Sequence, residues 1–143
     1  MKKTRIMALI LCVLILTMTL SSIARADGED EVEPTLQWAR KTVEKLNKAV
    51  EANDFESYIE PWSEENSKNI TRDNFENTVK TLQELGTIES MTFYNKFEIQ
   101  GYTVYQWKAS YSKHPDPLYI RLVFKVRGDQ PQVDGHFVRK SPE

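Results

Sequence analysis

The spacing of apolar residues changes once along this chain, at Gly86. Before Gly86 the apolar residues recur at every third or fourth position, which is the spacing of one face of an α-helix. After Gly86 they recur at every second position, which is the spacing of one face of a β-strand. Helices followed by strands are typical of an α+β domain and argue against a parallel βαβ sheet. We therefore expect helices packed on a curved antiparallel sheet.

The first half of the chain predicts three helices. The longest covers residues 35–52, a short one covers 55–60, and a third begins after Thr71 and ends at Gly86. Threonine is a favourable N-cap residue, and glycine at a helix end supplies the positive φ angle that other residues avoid. The polar segment 63–69 is predicted to be a loop.

The second half predicts four strands in a meander, at residues 88–99, 102–112, 118–126 and 132–139. Their connections are short and contain glycine or proline, which favours antiparallel neighbours. One face of the first strand is expected to carry Met91, Phe93, Phe97 and Ile99. The inward face of the third strand is expected to carry Leu118, Ile120, Leu122, Phe124 and Val126.

The first 26 residues have the pattern of a secretory signal peptide. A positively charged start precedes an uncharged apolar run at residues 6–20, and small residues at positions 24 and 26 suit cleavage after Ala26. The run is shorter than the roughly 20 residues that a membrane-spanning helix needs, so no stable anchor is expected after cleavage. We therefore expect a periplasmic or secreted protein.

The mature chain is expected to form a single domain. Residues 27–34 contain five acids and are predicted to be a disordered tail, 35–139 the α+β domain, and 140–143 a frayed C-terminus. Four of the 19 basic residues lie in the signal peptide, so 15 basic and 21 acidic residues remain, a net charge of −6. This balance argues against nucleic-acid binding. The single cysteine, Cys12, also leaves with the signal peptide, which excludes disulfide and thiol chemistry.

Three segments of the sequence carry a resemblance to a known fold. They are the passage Ala52-Asn53-Asp54-Phe55 into a short helix, the helix end Leu85-Gly86, and the closing strand Val133-Asp134-Gly135-His136-Phe137-Val138. With the long first helix, they resemble the nuclear transport factor 2-like superfamily, also called the cystatin-like α+β roll. The closing strand is similar to that of small exported bacterial families of uncharacterised function.

This resemblance implies a conical cavity between the helices and the concave face of the sheet. Enzymes of the superfamily place acids, bases or tyrosines in that cavity. Other members are non-catalytic binding modules, so the fold alone does not fix the function.

The best candidate for acid–base chemistry is the pair Asp134 and His136. The two residues lie two positions apart on the last strand, so regular alternation puts them on the same face. A carboxylate beside an imidazole can orient the ring and favour its charged form. If Val133, Gly135 and Phe137 form the core face instead, the pair faces solvent.

Aromatic residues supply the candidates for a ligand cavity. An apolar pocket could be lined by Trp38, Trp62, Tyr105, Trp107 and Phe124, each of which could equally belong to a filled core. Further candidates, as hydrogen-bond donors to an oxyanion, are Tyr94, Tyr102, Tyr105, Tyr111 and Tyr119. No metal or cofactor is expected, because two histidines without a mature cysteine do not favour a zinc site.

These observations favour an exported, non-catalytic module that binds a small apolar ligand or an envelope protein. One alternative is a cavity acid–base enzyme of the isomerase or dehydratase type, which would use Asp134 and His136. Another is an envelope-associated homodimer that pairs through the outer face of the sheet. That face is expected to carry Tyr102, Val104, Tyr119 and Val123.

Overall fold

A computed structural model of the protein describes residues 33–143, and it has helices first and strands after them. The helices are α1 (Pro34–Glu51), α2 (Phe55–Ile59), α3 (Glu64–Ser67) and α4 (Arg72–Leu85). The strands are β1 (Ile88–Ile99), β2 (Tyr102–Tyr111), β3 (Leu118–Arg127) and β4 (Gln130–Arg139). The sheet is an antiparallel meander in the order β1-β2-β3-β4. The predicted α+β fold class is confirmed.

The loop prediction for residues 63–69 is wrong, because this segment contains the one-turn helix α3. The Ser63 hydroxyl accepts a hydrogen bond from the backbone N–H of Asn66, as an N-cap residue does. Glu64 and Glu65 lie in the first turn, where negative charge is favourable. Local capping therefore forms a helix in a segment without an apolar stripe.

The predicted stripe of α1 is buried in a core shared with the sheet. Ala39, Val43 and Leu46 are fully buried, and they belong to one cluster with inward residues of β2 and β3. Full burial of one aliphatic side chain contributes about 1.5–3 kcal/mol, so this stripe is a large part of the stability. On β3 the predicted inward face is confirmed up to Phe124, whereas Val126 near the strand end is 48% exposed.

A β-bulge in β1 changes which residues share a face. Phe93 pairs with Trp107 and Asn95 pairs with Gln106, so Tyr94 is an extra residue between them. Phe93 therefore lies on the inner face, but Phe97, opposite Val104, lies on the outer face. The prediction that Met91, Phe93, Phe97 and Ile99 share one face is wrong for the last two.

A second bulge lies in β4, at Asp134. Phe124 pairs with Val133 and Val123 pairs with Gly135, so Asp134 has no partner of its own in the ladder. The bulge shifts the alternation by one residue, and His136 follows opposite inward-facing Leu122. Val133 and His136 therefore both point to the helix side of the sheet.

Both ends of the domain contact the sheet. The Pro142 carbonyl accepts hydrogen bonds from the Gln106 side chain at 2.8 Å and from Arg121 at 3.0 Å, on the outer face. Gln106 is buried there and its amide needs a partner, so the C-terminal segment differs from the frayed tail that the sequence suggested. At the other end Glu33, predicted to be part of the acidic tail, pairs with Lys96 at 2.9 Å.

The predicted signal peptide, residues 1–26, lies outside the described residues, as does most of the acidic tail. Among residues 33–143, none of the helices has the length and apolarity that crossing a membrane requires. Export therefore stays a prediction from the sequence.

Gly86 is expected to be the glycine most sensitive to substitution. Its φ of 85° and ψ of −153° are nearly exclusive to glycine, and an added Cβ would lie 2.1 Å from the Ser112 hydroxyl. We expect Gly86→Ala to lower the free energy of unfolding in urea by about 2 kcal/mol or more. Gly101→Ala is the matched control, because Gly101 also has positive φ but open space around it. Equal losses for the two variants would contradict the steric explanation.

Candidate functional site

The aromatic residues predicted to line a cavity fill the interior instead. Tyr105, Trp107 and Phe124 are each 1% exposed, and the Tyr105 and Phe124 rings lie 5.2 Å apart. The ring centroids of Trp38 and Phe124 lie 5.1 Å apart, and those of Trp62 and Tyr58 lie 5.8 Å apart. Tilted and edge-on ring pairs at these distances are favourable packing. The rings of these residues therefore fill the space in which a cavity was expected.

Asp134 lies at the centre of a buried polar cluster. Its side chain is 4% exposed, and it accepts two hydrogen bonds from the Arg127 guanidinium, each at 2.9 Å. It also accepts from the Ser63 hydroxyl and from the Asn66 side-chain amide, each at 2.7 Å. Four donors to one carboxylate satisfy both of its oxygens. The cluster joins helix α3 to the β3–β4 hairpin.

These bonds keep Asp134 ionised. Burial is the largest influence and raises the pKa of the carboxyl, but the hydrogen bonds from Arg127, Ser63 and Asn66 together outweigh it. The pKa therefore lies below its ordinary value. A carboxylate with every oxygen engaged by the protein has a structural role and little capacity to accept a substrate proton.

His136 lies apart from this cluster, on the helix side of the sheet. Its Nδ1 atom is 3.3 Å from the hydroxyl oxygen of buried Tyr58. Burial lowers the pKa of His136 to about 4 and raises the pKa of Tyr58 to about 12, so both groups are neutral near pH 7. A neutral phenol that donates to Nδ1 leaves the ring proton on Nε2, which is how we assign the tautomer.

The Nε2 atom of His136 is buried and has no hydrogen-bond partner among residues 33–143. His136 also lines a cleft of about 510 Å³ between α4 and the paired ends of β3 and β4, which we call the His136 cleft. The apolar part of its wall includes Leu82, Leu85, Leu118 and Val138. Its lining also includes Arg139 and Lys140, and none of the described lining residues is acidic.

The predicted acid–base pair is therefore not formed. The bulge places Asp134 and His136 in different surroundings, one with Arg127 and the other with Tyr58. Arg127 could have been anticipated from the sequence, because it lies seven residues before Asp134 across a tight turn. Tyr58 is 78 residues away along the chain, and no local pattern indicates its contact with His136.

The five tyrosines also separate. Tyr94 and Tyr119 pack on each other at 5.1 Å on the outer side, and Tyr102 also lies on the outer face. The hydroxyl of Tyr105 is 3.0 Å from the Thr35 hydroxyl, so it already has a partner. Tyr111 is 5% exposed, and its hydroxyl has no partner within the described part of the chain.

His114 and Asp116 lie two positions apart in the loop after β2. The His114 Nδ1 atom lies 2.7 Å from the Asp116 carbonyl oxygen, so the ring is held by its own loop. Within the described range 33–143, no group of three or more His, Cys, Asp or Glu side chains could hold a metal ion.

No family model and no curated protein matches this chain. Among solved structures, it is similar to a protein whose name begins Rd1NTF2_05, with 10% identity and a TM-score of 0.48 over 71% of this chain and 96% of the other. It is also similar to an uncharacterised cystatin-fold protein from Novosphingobium aromaticivorans, with 11% identity and a TM-score of 0.35 over 64% and 91%. The fold assignment stands on the arrangement of helices and strands described above.

The Asp134 cluster predicts a large loss of stability when the carboxylate is changed. Asp134→Asn replaces one acceptor oxygen by an NH₂ group, so the Arg127 guanidinium loses half of its paired contact. We expect the free energy of unfolding in urea to fall by about 2–3 kcal/mol. The control Asp129→Asn changes an exposed acid in the adjoining turn and should cost less than about 0.5 kcal/mol. Similar losses in the two variants would exclude a special role for the cluster.

His136 predicts a pH dependence of stability. Because the pKa is about 4 in the folded protein and ordinarily 6.5, the unfolded chain binds more protons between these values. The free energy of unfolding is therefore highest above pH 6.5, and it falls by about 3 kcal/mol as the pH is lowered to 4. Urea titrations at several pH values should show this slope in the wild type and lose it in His136→Gln. His114→Gln is the control, and a slope that survives in His136→Gln would refute the assignment.

Proposed function

We propose that this protein is an exported, non-catalytic binding module that holds a small, largely apolar anion in the His136 cleft. The observation that carries the proposal is that His136 lines the cleft and that its buried Nε2–H has no acceptor among residues 33–143. Leaving such a donor unpaired costs about 1–3 kcal/mol, and a bound acceptor would recover that energy. A cleft with an apolar wall and few polar groups is the usual form of a small-ligand site.

The charges around the cleft favour an anion. Arg139 and Lys140 are among its lining residues, and the described lining includes neither aspartate nor glutamate. The mature chain is acidic overall, so a cationic rim stands out from the rest of the protein. An ion with an apolar body could place that body on Leu82 and Leu118 while its oxygen accepts from His136.

The surroundings of His136 support binding over acid–base catalysis. With a pKa of about 4, the ring is a weak base near neutral pH, and its polar neighbour Tyr58 is itself neutral. A general base works best with a pKa near the operating pH. The carboxylate of Asp134, which would have to charge the ring, is held by Arg127 instead.

The outer face of the sheet supports a second candidate function, docking of a partner chain. Three large apolar side chains are exposed on this side: Tyr94 is 50% exposed, Ile99 is 54% exposed and Phe137 is 43% exposed. Val104, predicted for this face, is buried in the monomer, and Pro142 covers the neighbouring Gln106 and Arg121. The exposed apolar side chains of the outer face therefore surround the part of that face that Pro142 covers.

Octanoate is a suitable probe for the His136 cleft, because it combines an apolar body with one anionic acceptor. We expect one molecule to bind per chain by isothermal titration calorimetry, at least about tenfold more tightly than octan-1-ol. Thr81→Trp, which adds an indole at the cleft wall, should abolish binding. Lys80→Trp, on the same helix but outside the cleft lining, is the matched control and should bind normally.

Native mass spectrometry of protein purified from the producing cells separates the two candidate functions. A mature mass beginning at Asp27 and carrying a bound small molecule would support the exported binding module. A dimer without an adduct, together with no octanoate binding, would transfer the function to the outer face. A mass that retains residues 1–26 would contradict export with cleavage.

A further inference from the structure

A second cleft lies on the other side of α4. It is bounded by the C-terminal ends of α1 and α4 and by the edge where β1 begins and β2 ends, and its volume is about 450 Å³. Asn47 from α1 and Tyr111 from β2 both line it, so we call it the Tyr111 cleft. Leu82 contributes to this cleft and to the His136 cleft.

Two of the residues that line this cleft carry buried hydrogen-bond donors without partners in the described part of the chain. The Tyr111 hydroxyl and the Asn47 side-chain nitrogen are both buried, and neither has an acceptor among residues 33–143. Most buried polar groups in proteins are hydrogen-bonded, because an unpaired buried donor loses its hydrogen bonds to water without replacement. Two such donors in one cleft, one from a helix and one from a strand 64 positions further along the chain, therefore indicate an acceptor outside residues 33–143.

Other polar groups of the cleft indicate whether the missing acceptor is neutral or charged. The Ser112 hydroxyl already accepts from the Thr87 backbone N–H at 3.0 Å, so it is engaged by the protein. Lys113 and Glu51 both lie on the exposed rim, and their opposite charges leave no net preference for an ion. The arrangement therefore favours a neutral acceptor over a carboxylate or an ammonium group.

The apolar part of the cleft indicates the rest of the ligand. Val50 is buried, and Leu82 and Ile88 are half-buried at the cleft wall. A carbonyl oxygen has two lone pairs and can accept from a phenol and an amide together. We propose that the Tyr111 cleft is a second ligand site, which takes a small apolar molecule through a neutral carbonyl oxygen held by Tyr111 and Asn47.

The carbonyl site proposed for the Tyr111 cleft does not depend on the anion site proposed for the His136 cleft. Its donors are a phenol and an amide, and no cationic imbalance accompanies them. Burial raises the pKa of Tyr111 to about 12, so the phenol keeps its proton and remains a hydrogen-bond donor near neutral pH. Loss of anion binding at His136 would leave the argument for the Tyr111 cleft intact.

Acetophenone and ethylbenzene test the proposal, because they differ by one carbonyl oxygen on the same carbon skeleton. In ¹H–¹⁵N correlation spectra of the full mature protein, acetophenone should shift the side-chain NH₂ resonances of Asn47. We expect acetophenone to bind about five- to tenfold more tightly than ethylbenzene, as one or two hydrogen bonds would provide. Tyr111→Phe should reduce this preference to about twofold or less.

Three controls separate ligand recognition from folding and from the His136 cleft. Tyr102→Phe removes a hydroxyl on the outer face and should leave acetophenone binding unchanged. Tyr111→Phe should keep the wild-type urea midpoint, since the hydroxyl has no acceptor to lose in the described part of the chain. Thr81→Trp, which blocks the His136 cleft, should still bind acetophenone.

Three results would overturn the proposal. The first is an unchanged Asn47 side-chain resonance at saturating acetophenone. The second is equal affinity for acetophenone and ethylbenzene in the wild type. The third is a lowered urea midpoint of Tyr111→Phe with no acetophenone binding in the wild type, which would mean that internal water satisfies the two donors.

Discussion

The paired contact between Arg127 and Asp134 determines how the rest of the site is built. The Asp134 carboxylate would be expensive to bury alone, but the two parallel hydrogen bonds from Arg127, together with those from Ser63 and Asn66, satisfy it. The contact holds the extra residue of the β4 bulge in place. Because a bulge moves every later side chain to the opposite face, it also decides that His136 points towards the helices.

The same cluster attaches the segment between α2 and α4 to the sheet. The backbone N–H of Ser63 donates to the Val133 carbonyl, and the Val133 N–H donates to the Pro61 carbonyl. This short parallel bridge adds backbone hydrogen bonds to the side-chain contacts around Asp134. Tyr58 lies in the preceding helix, so the same attachment holds its hydroxyl near the His136 ring. The Arg127–Asp134 ion pair therefore helps to position His136 without contacting it.

Helix α4 separates the His136 cleft from the Tyr111 cleft. Its buried residues, Phe75 and Val79, lie within its first eight residues, whereas Leu82 and Leu85 near its end are only half-buried. The centre of the roll is filled by aromatic rings, so open space is left on either side of this helix end. Residues that line each cleft carry buried donors without an acceptor among residues 33–143, and of the two only the His136 cleft has an excess of cationic lining residues.

The sequence by itself determined the fold class, because hydrophobic periods of 3.6 and 2 reflect helix and strand geometry within a few residues. It also identified Asp134, His136 and Tyr111 as residues of interest. Only the tertiary structure decided their roles. The sequence prediction of side-chain direction assumed regular alternation along each strand, and the bulges at Tyr94 and Asp134 break that alternation. Partners such as Tyr58 are brought to the site by packing between distant segments, and local sequence patterns carry no record of those contacts.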